Sequence, residues 1–207
     1  MNDNFEQNSL KGVQAPKLCY TAGGMLIHEG KVLLIKHKKL GIWLNPGGHI
    51  DEGELPHEAA EREFFEETGI KVKAFDAYRP LEIKKENQSV ESVVDSHVEN
   101  AFPYDKNFGF QPSPITTNLH WVNEESYKLR LKSDTPEKRF PTKVWKRGCE
   151  QHLGFFYLLK PIAGVDFFQN EEETDGIAWF GLDEIDGLET RDNIKAEIKL
   201  GFSLLQK

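Results

Sequence analysis

Apolar residues recur with the character of β-strands in two neighbouring stretches near the start of the chain. Residues 19–27 and 31–37 are rich in apolar and β-forming side chains, and the segment His28-Glu-Gly30 between them is polar. This pattern predicts a β-hairpin. A shorter apolar run at 41–44 leads into Asn45-Pro-Gly-Gly48, which is a strong turn signal.

A helix is predicted to begin near Pro56 and to end at Gly69. Proline suits the first helical turn, where its missing N–H costs nothing, and the acidic residues Glu54 and Glu58 lie near the positive end of the helix dipole. Gly69 is expected to close the helix in the left-handed conformation. Apolar contacts are expected from four residues within the segment: Ala59, Ala60, Phe64 and Phe65.

Regular patterns elsewhere predict further strands and a second helix. Residues 70–77, 153–161 and 177–180 each have the composition of a strand. Residues 191–205 are predicted to form an amphipathic helix, because their apolar side chains are spaced four, four and three apart, at Ile194, Ile198, Phe202 and Leu205.

The segment from about 82 to 148 has the weakest pattern. It is polar and interrupted by five prolines. A structureless loop of this length is uncommon in a compact domain, so we expect an insertion of about 60 residues with short elements of its own, including a helix at 124–131. We expect residues 1–16 to be a mobile leader and 17–207 to be a single domain that contains this insertion.

Three glutamates in the predicted helix are the strongest candidates for chemistry. Glu63, Glu66 and Glu67 are three and four residues apart, so their carboxylates lie on the same side of the helix. Like charges at this spacing repel each other, and a divalent cation would convert that repulsion into binding. An all-oxygen ligand set suits Mg²⁺ or Mn²⁺ better than zinc. The alternative interpretation is a solvated acidic helix face.

The segment around these glutamates resembles the Nudix box. That motif is a glycine, five residues, a glutamate, seven residues and then Arg-Glu-U-x-Glu-Glu-x-Gly-U, where U is a bulky aliphatic residue. Phe64 stands where an aliphatic residue is usual, which changes one hydrophobic residue for another. The matching positions are Gly48, Glu54, Arg62, Glu63, Glu66, Glu67, Gly69 and Ile70.

The resemblance implies an α/β fold, namely the Nudix α/β/α sandwich with a mixed sheet between helices. It also implies that Glu66 and Glu67 coordinate a metal ion, and that Glu63 either coordinates it or accepts a proton from the attacking water. The backbone carbonyl of Gly47 is an additional ligand implied by the family.

Two further roles follow from the same resemblance. Arg62 is expected to hold carboxylates in position through charge-assisted hydrogen bonds, Glu54 especially. A further carboxylate ligand often comes from outside the box, and Glu173, six residues before Trp179, is the favoured candidate. A solvated run of loop charges at 171–173 is the alternative.

The function that the resemblance implies is hydrolysis of a diphosphate linkage in a nucleoside diphosphate derivative or a modified nucleoside triphosphate. A regulator that binds such a nucleotide without cleaving it is the alternative, although such proteins typically lose box glutamates and none is missing here. NDP-sugars, dinucleoside polyphosphates and ADP-ribose stay open as substrates. The proline expected in ADP-ribose hydrolases is absent, since residues 84–86 are Lys, Lys and Glu.

Composition narrows the class of partner. A formal net charge of −8 disfavours nucleic acid, which needs clustered basic residues. No apolar run approaches the roughly 20 residues that span a bilayer. The two cysteines lie far apart in the sequence and indicate no disulfide framework, so the cytoplasm is the expected compartment. The insertion is a candidate surface for a homodimer.

Overall fold

The computed structural model describes residues 15–78, 111–132 and 148–206. These residues form eight strands, three α-helices and a 3₁₀ helix. The strands are β1 (Leu18–His28), β2 (Lys31–His37), β3 (Trp43–Leu44), β4 (Gly47–His49), β5 (Val72–Phe75), β6 (Thr116–Trp121), β7 (Gln151–Pro161) and β8 (Thr174–Gly181). The helices are α1 (Pro56–Thr68), α2 (Glu124–Leu131), the 3₁₀ helix Leu182–Gly187 and α3 (Asp192–Leu205).

The eight strands form one mixed sheet. Its central order is β3-β2-β1-β7-β5, while β4 pairs with β1, β6 with β7 and β8 with β2. The pairs β1–β2, β1–β4, β2–β3, β2–β8 and β5–β7 are antiparallel. Contacts between β1 and β7 advance in the same direction along both strands, since Gly154 approaches Thr21 and Phe156 approaches Gly23. These two central strands therefore run parallel.

The two faces of the sheet carry separate cores, as strand alternation requires. On one face, Leu26 and Leu33 pack with Ala60 and Phe64 of α1. On the other face, Met25 and Leu158 belong to the cluster that contains residues of α3, namely Ile198 and Phe202. Helices thus cover both faces, which is the α/β sandwich that the sequence predicts.

The chain divides into two compact units. The larger one comprises Tyr20–Asn118 and Gly154–Lys207, and the smaller one comprises Met1–Cys19 and Leu119–Leu153. Both cores described above belong to the larger unit. The sequence-based division into a leader, a single domain and an insertion stays a prediction, because 1–14, 79–110 and 133–147 lie outside the described residues.

The smaller unit is built around a buried ion pair. Arg130 and Glu150 each have side chains that are 2% exposed, and Arg130 Nε lies 2.7 Å from Glu150 Oε1. Arg130 Nη2 also donates to Glu150 Oε2 at 2.7 Å and to the carbonyl of Ala15 at 2.9 Å. Glu150 Oε2 accepts a further hydrogen bond from the backbone N–H of Lys17. The pair therefore ties α2 to two segments that are distant in sequence.

The same unit contains a disulfide between Cys19 and Cys149, so the interpretation that the cysteines indicate no disulfide framework is wrong. The cysteines are 130 residues apart in the sequence, so their proximity in the fold cannot be predicted from spacing. Cys19 lies at the start of β1 and Cys149 two residues before β7, and these strands are neighbours in the sheet.

The elements predicted from the sequence are confirmed within the described residues. The hairpin forms β1 and β2, and the helix after residue 55 is α1. The predicted helix at 124–131 is α2, with the bounds expected of it, and Asn123 caps it by accepting a hydrogen bond from the N–H of Ser126. Two strands differ most in length: the one predicted at 70–77 is shorter, at Val72–Phe75, and the one predicted at 177–180 extends to Thr174–Gly181 because it pairs with β2 along its length.

None of the helices among residues 15–78, 111–132 and 148–206 combines the length and the apolar character that crossing a membrane requires.

Candidate metal centre

Helix α1 has defined ends that fix its glutamates relative to the sheet. At its start, Glu58 accepts a hydrogen bond from the backbone N–H of Leu55 at 2.9 Å. At its end, Gly69 adopts a φ of 74° and donates its N–H to the carbonyl of Phe65. This left-handed conformation suits glycine and not residues with a Cβ. These contacts define where the helix begins and ends.

The Gly47-Gly48 turn lies against the carboxylates of α1. Gly47 and Gly48 belong to β4 and pair with Gly23 and Ala22 of β1. The N–H of Gly47 donates to Glu67 Oε2 at 2.9 Å. A Cβ on Gly48 would lie 2.4 Å from the carboxyl group of Glu63. Glycine at these two positions thus allows the strand backbone and the helix carboxylates to approach each other.

Substitution of Gly48 by alanine should therefore lower activity by moving Glu63. We expect a loss of about 10-fold in kcat/KM, by analogy with the loss of an orienting contact at a metal site, together with weaker metal binding. Gly164 is the matched control, because it is exposed, its φ is not left-handed, and a Cβ there meets nothing within 4 Å. Equal losses in the two alanine variants would contradict a steric role for Gly48.

Glu67 is the most buried carboxylate of this group. It is 3% exposed, and burial raises its pKa to about 8, against the opposing effect of the Gly47 hydrogen bond. Glu63, Glu173 and Glu66 raise it further by charge repulsion. Burial also raises the pKa of Glu63, which interacts with Glu66 and Glu173. Four carboxylates thus act on one another around the glycine turn.

Arg62 neutralises only part of this charge. Its Nε and Nη2 bind the two oxygens of Glu54 at 2.8 and 2.9 Å, and this bidentate pair holds the pKa of Glu54 below its usual value. Its Nη1 donates to Glu63 at 2.8 Å and to Glu66 at 3.2 Å. Nη2 also donates to the carbonyl of His49 at 2.9 Å. Arg62 therefore links the helix to the loop that follows β4.

Glu173 reaches the group from a different part of the chain. It immediately precedes β8, and its carbonyl accepts a hydrogen bond from the N–H of Lys38. The side chain of Asn170 in the same loop donates to the carbonyl of Glu66 at 3.3 Å. The loop is thereby held against the end of α1, and the charge of Glu173 acts on Glu63 and Glu67.

Two histidines of the chain lie in surroundings other than this carboxylate group. His57 is buried with its ring against Tyr157, and His152 lies in the smaller unit with its ring against His120. Cys149 is in a disulfide, so it offers no thiolate to a metal ion.

Sequence reasoning missed two residues near the turn. Asn170, which positions the Glu173 loop, lies in a run of polar residues with no motif around it. Asn45 is buried, and neither atom of its side-chain amide has a hydrogen-bond partner among the described residues. No spacing rule identifies either residue.

The chemistry of this donor set fits a hard divalent cation. The groups are all oxygens, Glu67 is buried beside three other carboxylates, and the guanidinium of Arg62 is already engaged by Glu54. Mg²⁺ and Mn²⁺ are the usual ions for such oxygen sites.

Comparison with known proteins identifies the class. The family model described as NUDIX domain matches residues 18–124, which is more than half of the chain. The chain therefore belongs to the Nudix family.

Similar proteins agree with this assignment. The chain is 45% identical over 53 residues to a putative 8-oxo-dGTP diphosphatase of Bacillus subtilis (strain 168), covering 24% of this chain and 36% of that protein. It is 36% identical over 72 residues to a probable DHNTP pyrophosphohydrolase of Lactococcus lactis subsp. cremoris (strain MG1363), covering 35% and 42%. The matches thus span less than half of either relative.

A solved structure shows the same fold over nearly the whole chain. The crystal structure of a NUDIX-family hydrolase from Clostridium perfringens superposes with a TM-score of 0.61 at 21% identity, covering 90% of this chain and 97% of that one. At this level of identity the likeness concerns the fold alone.

Proposed function

We propose that this protein is a divalent-metal-dependent hydrolase that cleaves the diphosphate linkage of a nucleoside triphosphate or of a nucleoside diphosphate derivative. The observation that carries the proposal is the burial of Glu67 among Glu63, Glu66 and Glu173. Such crowding of carboxylates is unfavourable without a cation, and diphosphate hydrolysis is a reaction that a cation at this place would serve.

The proposed ligands are the carboxylates of Glu63, Glu66, Glu67 and Glu173 and the carbonyl of Gly47. A bound Mg²⁺ or Mn²⁺ would supply a water of lowered pKa and would neutralise charge on the bridging oxygens. The remaining work falls to the protein groups. The N–H of Gly47 orients Glu67, and the Gly48 backbone leaves room for Glu63.

Arg62 and Glu54 are proposed as positioning residues. Because Glu54 engages two of the guanidinium nitrogens, the third nitrogen is held in the direction of Glu63 and Glu66. Glu63 is proposed either to coordinate the ion or to accept a proton from the attacking water.

The substrate class is proposed from chemistry and from the relatives together. Two relatives carry names that refer to 8-oxo-dGTP and to DHNTP, which favours a triphosphate of a nitrogen heterocycle for this chain. NDP-sugars, dinucleoside polyphosphates and ADP-ribose are alternatives. The rival proposal, a nucleotide sensor without activity, is disfavoured because all the box glutamates are present and converge.

Hydrolysis should require a divalent cation. We expect a screen of nucleotides from these classes with Mg²⁺ or Mn²⁺ to detect release of pyrophosphate or phosphate, to lose it in EDTA, and to regain it when metal is added back. Full activity in EDTA would overturn the metal-dependent mechanism. Tight nucleotide binding without turnover in any class would favour the sensor.

Two further expectations stay proposals. The cytoplasm is the proposed compartment on sequence grounds. In that compartment the Cys19–Cys149 disulfide would be exposed to thiol reductants that favour its reduction. Homodimerisation is proposed through the segment at about 82–148, whose described part exposes Leu119, Trp121 and Leu129.

A further inference from the structure

Glu197 is a buried acid that the metal centre does not use. It lies on α3 and is 9% exposed. Burial raises its pKa to about 7, against the opposing effect of a hydrogen bond that it accepts from the hydroxyl of Thr116 on β6. Among the described residues, Thr116 Oγ1 is the only group that donates a hydrogen bond to its side chain, and it binds Oε1. The second oxygen, Oε2, therefore has capacity to accept from a ligand.

Polar and aromatic side chains continue from Thr116 along the same face of the sheet. Asn118 lies two residues further along β6 and so shares the face of Thr116. A Cβ on Gly154 of β7 would lie 3.3 Å from Asn118 Oδ1, 3.3 Å from Thr21 Oγ1 and 3.1 Å from the Phe156 ring. These three side chains thus converge over a position that carries no side chain, and each of them is half-exposed.

This row of side chains lies on the sheet face covered by α3, because Gly23 shares the face of Met25, and it meets the glycine turn of the metal centre through the pairing of β1 with β4. A Cβ on Gly23 would lie 2.6 Å from the Phe156 ring, so the ring lies over the backbone of Gly23. Gly23 pairs directly with Gly47, and Thr21 pairs with His49. The Phe156 ring is therefore one strand away from the turn whose glycines contact Glu63 and Glu67.

We propose that this row binds the base of the nucleotide, and that Glu197 is the residue that selects bases with an amino group. The row comprises Thr21, Thr116, Asn118, Phe156 and Glu197. The proposal rests on the proposed function and names the substrate class of the same site. Phe156 offers an aromatic face of the kind on which bases stack, and a carboxylate oxygen accepts from exocyclic amines and ring N–H groups.

The chemistry of Glu197 favours a nitrogen donor. An N–H donor that reaches Oε2 stabilises the charged carboxylate and satisfies a buried acceptor that the described part of the protein leaves with one partner. When the carboxyl group is charged, at a pH well above its pKa of about 7, a base that offers only a carbonyl at that place presents one acceptor to another. The nucleotide comparison is therefore made at such a pH. Thr116 is the positioning residue in this arrangement, because its hydroxyl fixes the orientation of the carboxyl group.

The test compares nucleotide pairs that differ by an amino group, namely GTP with ITP and CTP with UTP. We expect the protein to prefer the amino-bearing member of at least one pair, and Glu197→Gln to reduce that preference by about 10-fold or more, which is the scale of one good base contact. The change should appear in KM, with kcat nearly unchanged, because the contact is made in the ground state and in the transition state alike.

The control is Asp192→Asn, which removes the charge of an exposed acid on the same helix α3 and should leave both ratios unchanged. Thr116→Val is a second variant that keeps the shape of the side chain and should lower the preference through the orientation of Glu197. If Glu197 has a purely structural role, its variants will change the thermal midpoint but not the GTP/ITP and CTP/UTP ratios. That result would overturn the proposal.

Failure of the proposed function is a separate outcome. If no nucleotide is hydrolysed, the hydrolase proposal fails. If hydrolysis occurs in every variant with equal rates for both members of each pair, the metal-dependent reaction stands and the role of Glu197 is refuted.

Discussion

Replacing Glu67 with glutamine should remove most of the activity and leave the fold intact. The amide is nearly isosteric and retains an oxygen that can accept from the N–H of Gly47, which now binds Glu67 Oε2 at 2.9 Å. It loses the negative charge that would strengthen binding of a divalent ion. We expect kcat/KM to fall by about 100- to 1000-fold, the scale of losing one preorganised electrostatic group, as measured by steady-state hydrolysis at saturating Mg²⁺.

The stability of the metal-free protein should respond to this substitution in a pH-dependent way. Burial raises the pKa of Glu67 to about 8, above the value of an unfolded glutamate, so the protonated form stabilises the native state. That contribution is fully present below the unfolded pKa of about 4.3 and is lost as pH rises through about 8. In EDTA, Glu67→Gln should thus become more stable relative to wild type as pH rises from 6 to 9.

Glu58→Gln is the matched control for both measurements. Glu58 lies on the same helix and accepts from the N–H of Leu55, a role that glutamine also performs. Wild-type kcat in the Glu67 variant at saturating metal would show that Glu67 does not hold the ion, whatever the control does.

Local patterns predicted the part of this site that lies within one segment. Pro56, Gly69 and the spacing of Glu63, Glu66 and Glu67 specify a helix and the side that its carboxylates share, and these depend only on residues three or four apart. The pairing of Arg62 with Glu54, which are eight residues apart, was instead expected from the resemblance to the Nudix box.

Contacts between distant segments could not be read in the same way. The proximity of Glu173 to the box depends on the pairing of β8 with β2 and on the loop that Asn170 holds. The Cys19–Cys149 disulfide depends on β1 and β7 being neighbours. The alternation of apolar and polar residues predicts which face of a strand is buried. It does not predict which strand pairs with which, so it could not show that β8 pairs with β2 or that β1 lies beside β7.

Buried polar residues were the least predictable feature. Glu197 lies on the buried side of α3, four residues before Gly201. From the sequence alone, a glutamate in an amphipathic helix is expected to be exposed to solvent. Its burial became visible only with Thr116 of β6 against it. The same holds for Arg130 and Glu150, which are 20 residues apart. No periodic pattern in the sequence connects the helix that contains Arg130 with the position of Glu150.

Replacing Arg130 with methionine should destabilise the native state more than either Gly48→Ala or Glu67→Gln. It leaves the carboxylate of Glu150 buried, 2% exposed, and among the described residues the backbone N–H of Lys17 is then its remaining hydrogen-bond donor. Breaking a buried ion pair in this way costs about 3–5 kcal/mol, which for a chain of this size corresponds to a fall of about 6–20 °C in the thermal midpoint. Chemical denaturation measures the free energy of unfolding directly.

The double variant Arg130→Met with Glu150→Gln distinguishes the pair from its individual members. Because both charges are then absent, most of the lost stability should return, and the coupling energy from the cycle should be large. Lys128→Met is the control, since Lys128 lies on the same helix and bonds only to exposed glutamates; it should show no measurable change. A double variant no more stable than Arg130→Met would show that packing by the long side chain, and not its charge, is what the smaller unit requires.

The pH dependence gives an independent check on the same pair. Burial alone would raise the pKa of Glu150, but Arg130 and the N–H of Lys17 outweigh it and hold the pKa below its usual value. The ion pair therefore stabilises the native state above the unfolded pKa of about 4.3, and this stability is lost as pH falls through the lowered native value. In Arg130→Met the raising effect of burial is left largely unopposed, so acidification from pH 7 towards 4 should narrow the difference in stability from wild type. If the difference in unfolding free energy between Arg130→Met and wild type stays constant across that range, the carboxyl group of Glu150 is not the charged partner of Arg130.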